Sequence, residues 1–151
     1  MTLSSKTLIE RARFVDEELL DVVINLLPQL TRNDNPPTKE YLENVLASDN
    51  SFLLTARYPA NESGLIVAML TLIIIKIPSG KYAQIEDVVV DSKYRGKGIG
   101  RNLVESAILL ARENHVKQVH LTSNPLRIKA NKLYMKLGFI KRDTNVYFLD
   151  L

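Results

Sequence analysis

The 151-residue sequence contains no cysteine, so it has neither a disulfide framework nor a thiolate metal site. It also lacks a Pro/Gly/Ser-rich linker and any sharp change of composition, and its length suits one core. A single domain over residues 1–151 is expected. Long apolar runs are missing too. The most apolar stretch, "LIVAMLTLIII" from Leu65 to Ile75, is too short to span a bilayer as a helix, and Lys76 and Pro78 close it. It reads as a buried strand. The start, "MTLSSKTLIERAR", does not have the basic-then-apolar layout of a signal peptide. These absences lead to an expected cytoplasmic location with no membrane partner. The formal charge of +3 is mildly basic and scattered, with no basic face interleaved with stacking aromatics, so no nucleic-acid partner is expected.

What remains has the balance of a globular protein, 46% hydrophobic and 25% charged. "TLIERARF" alternates as a strand, and "DEELLDVVINLLPQL" carries apolar residues at helical spacing from Leu19 through Val23 to Leu30. Asp16, Glu17 and Glu18 suit the positive end of that helix. "TRNDNPP" reads as a loop, and Thr38 caps a second helix, "KEYLENVLAS". Three strands follow, "SFLLTARY", "LIVAMLTLIIIKI" and "YAQIEDVVV", separated by "PANESG" and "PSGK". Ile99, Leu103, Ala107, Leu110 and Ala111 then mark one stripe of a long helix, and "VKQVHLT" a strand. Asn124 and Pro125 read as the cap and first position of a last helix that ends at Gly138. "FIKRD" and "VYFLDL" read as two final strands. This order, β-α-α-β-β-β-α-β-α-β-β, predicts a mixed α/β sandwich and not a regularly alternating doubly wound sheet.

One stretch carries chemistry. In "VVVDSKYRGKGIGRNL" the glycines Gly96, Gly98 and Gly100 alternate with single residues and are flanked by Arg95, Lys97 and Arg101. A bare, basic loop that opens a helix presents unpaired backbone N–H groups to an anion, most often a phosphate. Spacing excludes two nucleotide signatures. A Walker A loop needs Ser or Thr after Gly-Lys, and Lys97 is followed by Gly98. A GxGxxG fingerprint fails as well, because the last glycine falls on Leu103 or on Arg101.

Arg95-x-x-Gly98-x-Gly100 after the strand end Val88-Val89-Val90 resembles the GNAT superfamily of acyl-CoA-dependent N-acetyltransferases. "ANKLYMKLGF", Ala130 to Phe139, resembles the second signature of that family. The two motifs cover roughly the C-terminal half, in the family's order. The resemblance implies a mixed, mostly antiparallel sheet with helices on both faces. It implies acetyl-CoA as co-substrate and no metal. The pyrophosphate would lie in the loop from Arg95 and Gly96 through Lys97, Gly98, Ile99 and Gly100 to Arg101, and the pantetheine arm beside Val88, Val89 and Val90.

By the same resemblance Tyr134 matches the tyrosine that protonates the leaving thiolate. Its phenol is neutral at pH 7, as a general acid requires. Glu86 matches a position used for the base, directly or through a water. Period-two alternation puts Gln84 and Glu86 on one face of the strand and Asp87, the reserve base, on the other. His120 is a further candidate, whereas His115 suits only a helix end. Where many members carry a cofactor-contacting asparagine seven residues before the tyrosine, this chain has Arg127. Asn124 or Asn131 is then expected to make that contact. Thr122 stands where ribosomal-protein acetyltransferases tend to have glutamate.

The reaction so implied is direct transfer of an acetyl group to a primary amine in a ternary complex, since no cysteine is available for an acyl-enzyme. The acceptor is a small-molecule or peptide amine, held by the first two helices, "TRNDNPP" and the final hairpin, with Asp34 and Glu40 as candidate anionic contacts. Two alternatives stand beside it. "IEDVVV" with "RGKGIG" is similar to glucosamine-phosphate acetyltransferases, and a non-catalytic acyl-CoA-binding domain would keep the loop without needing Tyr134 or Glu86. The terminal strands and the long apolar strand offer edges for a homodimer.

Overall fold

The computed structural model describes residues 6–32, 35–61 and 63–151. Among the described residues five strands form one sheet in chain order: β1 (Leu8–Arg11), β2 (Ser51–Tyr58), β3 (Leu65–Ile77), β4 (Gly80–Val90) and β5 (Val119–Leu121). β1 to β4 run antiparallel, and β5 joins β4 in parallel. The parallel step needs a crossover, which α3 (Ile99–Glu113) supplies. Two shorter helices, α1 (Glu17–Leu26) and α2 (Lys39–Ala47), precede β2, and α4 (Ile128–Lys136) follows β5.

Alternation along the strands splits the core into two layers. Phe52, Leu54, Leu70, Leu72 and Ile85 face α3, where Leu103, Val104 and Ala107 close on them. Leu53, Met69 and Val89 face the other way, against Leu19, Val23 and Leu26 of α1 and Leu42 of α2. Helices therefore cover both faces of the sheet, as expected. Burying one Leu-sized side chain contributes roughly 1.5–3 kcal/mol, and both layers bury several.

Local signals set the helix starts. Asp16 accepts a hydrogen bond from the Leu19 N–H at 2.8 Å, and Thr38 Oγ1 accepts one from Tyr41 N–H at 3.1 Å. At the other end of the chain Gly138 takes φ of 92°, and Phe139 N–H reaches back to the Tyr134 carbonyl at 3.0 Å, which closes α4.

Three expectations need correction. β1 is shorter than "TLIERARF". α4 starts at Ile128 and not at Pro125, because Asn124 Oδ1 accepts from Leu126 N–H at 2.9 Å and holds a turn there instead of capping a helix. The two final strands do not form: residues 139–151 carry no regular structure, and everything after Phe139 is exposed. The physical reason lies in "VYFL", four consecutive apolar residues that need cover on both faces, which a lone chain does not supply here.

Candidate active site

The site grows out of one change in pairing along β4. Its middle is held on both sides, with Ala83, Gln84 and Ile85 opposite Val119, His120 and Leu121 of β5. Beyond Ile85 the β5 pairing stops. On the β3 side the register skips at the same place, from Thr71↔Glu86 to Met69↔Val89, so Asp87 and Val88 together oppose Leu70. This is a β-bulge, and Asp87 takes a left-handed φ of 53° within it.

The bulge resets the alternation. Gln84 Nε2 donates to Glu86 Oε1 at 3.0 Å, so these two share a face as expected. After the bulge, however, Val89 packs with α1 and α2, while Val88 and Val90 pack toward α3. Glu86 opposes Thr71 while Asp87 and Val88 oppose Leu70, so the register sets the two carboxylates on different faces of the strand, yet Ile85, Glu86, Asp87 and Val88 all border a single cavity of about 260 Å³. Leu30 and Thr31 close one side of it, Leu121 and Thr122 another, and Arg127 and Tyr134 a third.

Tyr134 is 4% exposed, with its ring edge-on to Phe139 at 5.9 Å. Burial raises its pKa, and the nearby Arg127 charge opposes that rise, so the phenol stays protonated at neutral pH. The Asp87 carboxyl is also pushed above the usual carboxylate range, by desolvation. Arg127 Nη2 donates to the Val88 carbonyl at 3.3 Å, on the stretch of β4 that β5 no longer pairs.

At the end of β4 the chain turns through Ser92–Tyr94 into the glycine loop. Arg95 Nε donates to the Val90 carbonyl at 2.9 Å, and Gln29 Oε1 accepts from Ser92 N–H at 2.9 Å. Gly96 and Gly98 adopt φ of 77° and 79°, and a Cβ at either would meet no atom within 4 Å. Space is therefore kept in front of the backbone there. Asn102 N–H makes the first bond back into α3, to the Gly98 carbonyl at 3.1 Å, so the N–H groups of Ile99, Gly100 and Arg101 lie ahead of that ladder. A second cavity, about 420 Å³, is lined by Lys97, Gly98, Arg101 and Asn102 together with Lys6 and Tyr58. The flanking cations divide their work. Arg95 braces the loop, Arg101 pairs with Glu105 at 2.9 Å, and Lys97 stands 5.7 Å from the Tyr58 ring.

The remaining candidates fall outside the cavity. His120 stacks on Tyr82 at 4.6 Å and lies 3.2 Å from Gln118 Oε1. His115, with φ of 57°, ends α3. Asn131 Nδ2 donates to the Asn124 carbonyl at 3.0 Å, so these two amides tie the β5–α4 turn together. Glu40 is exposed in the first turn of α2, and Asp34 lies outside the described residues. Gln29, Leu30 and Leu121 were not singled out from the sequence, because a glutamine and two leucines carry no local mark of a site. Among the described residues no cluster of His, Cys, Asp and Glu could hold a metal, and no helix is long and apolar enough to cross a membrane.

Residues 20–139 match the model of the acetyltransferase (GNAT) family. The chain belongs to that family. It is 31% identical over 133 residues to N-acetyltransferase 8B of Rattus norvegicus, an alignment that takes in 82% of this chain and 59% of that protein. The chain thus spans little more than half the length of that relative. Among solved structures, an aminoglycoside acetyltransferase from an uncultured soil metagenomic sample superposes with a TM-score of 0.82 at 22% identity, covering 97% of this chain and 96% of the other. Glucosamine-6-phosphate N-acetyltransferase from Arabidopsis thaliana gives a TM-score of 0.75 at 25% identity, covering 95% and 97%.

Proposed function

We propose that the chain transfers an acetyl group from acetyl-CoA to a primary amine, directly and within a ternary complex. One observation carries this reading: the stretch of β4 that loses its β5 partner joins a cavity holding Glu86, Asp87, Arg127 and Tyr134 to the open glycine cradle at the head of α3. The residues present fit the co-substrate. The cradle leaves room where a Cβ would otherwise stand, and the leading N–H groups of α3 with Lys97 suit a pyrophosphate. When bound, acetyl-CoA supplies an activated acyl group as a thioester.

The chain's own groups do the rest. The backbone of Val88 to Val90, unpaired on the β5 side, orients the pantetheine arm as an added strand, with Arg127 releasing the Val88 carbonyl to make way. Glu86, fixed by Gln84, takes the amine proton directly or through a water, and Asp87 stands beside it as a second acceptor. Tyr134 gives its phenolic proton to the departing sulfur. The positive charge of Arg127 beside it favours both the tyrosinate and the thiolate. No cysteine is present to form an acyl-enzyme. The acceptor is a small-molecule or peptide amine that enters between Leu30, Thr31 and the two carboxylates. No metal takes part. The setting is the cytoplasm, without nucleic acid or membrane as partner.

A sugar-phosphate amine is the second reading, favoured by the likeness to the Arabidopsis glucosamine-6-phosphate enzyme. The test begins with thermal shift of the purified protein against acetyl-CoA, CoA, ATP and NADH. A ligand at about a hundred times its Kd adds roughly 2.7 kcal/mol, a rise of several degrees. Shifts with the two CoA forms alone, followed by turnover on an amine panel that includes glucosamine 6-phosphate, are the expected result. A shift with ATP or NADH instead would remove the cofactor assignment, and CoA binding without turnover on any amine would leave a binding domain.

A further inference from the structure

The arginines of this chain settle their charge in different ways. Arg57 pairs with Glu10 and Glu18, and Arg101 with Glu105. Arg127 forms no ion pair among the described residues, although Glu86 and Asp87 line the same cavity. A guanidinium carries a fork of N–H donors, yet Arg127 donates a single hydrogen bond, to the Val88 carbonyl, and it is long at 3.3 Å. The residue stands directly ahead of α4, where the family resemblance leads one to expect a shorter asparagine, and its length carries the charge across to β4. The cavity therefore keeps its carboxylates and its cation from neutralising one another. At about 260 Å³ it lies just below the range of roughly 300–1,000 Å³ that holds drug-sized ligands, so its occupant is small.

We infer that the acceptor carries an anionic group, a carboxylate or a phosphate, on the same small molecule as its amine, and that Arg127 holds this group while Glu86 and Asp87 receive the amine end. The inference rests on the transferase reading given above and narrows its acceptor. Once the Val88 carbonyl is given over to the pantetheine arm, Arg127 loses its hydrogen-bond acceptor, and a donor left unpaired beside a filled cavity costs free energy. An anion on the acceptor restores the loss, because the planar fork of arginine matches carboxylate and phosphate oxygens in two parallel bonds. An acceptor that is only a cation satisfies the carboxylates, leaves Arg127 without a partner and places like charges in one cavity. An acceptor with both charges meets every charged group in the wall.

The test compares acceptors in matched pairs: α-amino acids each against its own amide, and glucosamine 6-phosphate against glucosamine. The amide's amine gives up its proton more readily, since no carboxylate stands beside it, so a preference for the acid does not come from the amine itself. In the native chain kcat/KM should favour the charged member of one set by roughly tenfold to a hundredfold, and the set concerned tells carboxylate from phosphate. In Arg127→Leu that ratio should fall to near one, and Arg127→Lys should regain part of it. Any effect of Arg127 on Tyr134 or on the departing sulfur is common to both members of a pair and cancels in the ratio. Arg127 is exposed, so both variants should keep the fold, as circular dichroism would show. Calorimetry of the favoured acceptor with the CoA-bound protein, where no acetyl group is present to transfer, should show binding that Arg127→Leu loses. A native chain that takes neutral and charged members equally, or a ratio that persists in Arg127→Leu, would overturn the anion contact and leave the transferase reading standing. Failure to bind CoA, or no turnover on any amine, would overturn the transferase reading and this acceptor with it.

Discussion

The two parts of β4 differ in the number of neighbouring strands each has. From Ala83 to Ile85 the strand is flanked on both sides, and Ala83 and Ile85 are buried against α3. From Glu86 to Val90 it keeps β3 and loses β5, with a bulge at Asp87 and Val88 marking the change. Residues of the first part stabilise. In the second part the backbone carbonyls turn to Arg127 and Arg95, and the carboxylates open to a cavity. A sheet makes a binding site where its ladder ends, because unpaired backbone groups need another partner.

The largest effect should come from closing the end of the open part. Gly98→Trp fills the space in front of the loop and forces a non-glycine residue to φ near 79°, so CoA binding should vanish in calorimetry while the fold persists. Normal CoA affinity in that variant would break the contrast, since the cradle would then hold nothing. Next come paired changes, one from each side of the comparison. Tyr134→Phe should lower turnover on the order of a hundredfold and leave CoA affinity in place. Ile85→Val, at a buried side chain that also borders the cavity, should cost about 0.5–1.5 kcal/mol of stability, read from denaturant midpoints, and change turnover far less than Tyr134→Phe. If the two variants exchanged phenotypes, the division of β4 would be wrong.

The smallest effect is electrostatic. A carboxyl held above its ordinary pKa favours the folded state while it is protonated, and that contribution is lost as pH rises through the raised value. Ionised Asp87 therefore weighs against folding at neutral pH. Asp87→Asn should be more stable than the native chain at pH 7, by a margin that shrinks toward acid. A margin that does not change with pH would show that desolvation of Asp87 is not the cause.

Much of this was legible in the sequence because the signals were local. Thr38 three residues ahead of Tyr41, the stripe of α3 and the glycine at the end of α4 each act within a turn of chain. The glycine loop could likewise be read by spacing, and the Tyr134 motif by its resemblance to a family signature. The bulge was not legible, since "IEDVVV" keeps apolar and polar letters that suit an unbroken strand. Only the register with β3 shows that Asp87 and Val88 face one residue, Leu70. Gln29 was hidden for a similar reason: its amide reaches Ser92 across 63 positions of chain, and nothing next to it in sequence announces that. The last hairpin was overread, because apolar letters promise burial without saying against what.

The sequence by itself determined the order of elements as far as α4, the capped starts of α1 and α2, and the glycine-built turn of "RGKGIG". Propensity, capping and glycine geometry operate between near neighbours, so their outcome is written in short stretches. The tertiary structure alone decided which strand ends lose a partner, which polar groups share a cavity and that the tail stays uncovered. Those outcomes depend on pairing between distant segments. A shift of one residue in that pairing redirects every side chain beyond it.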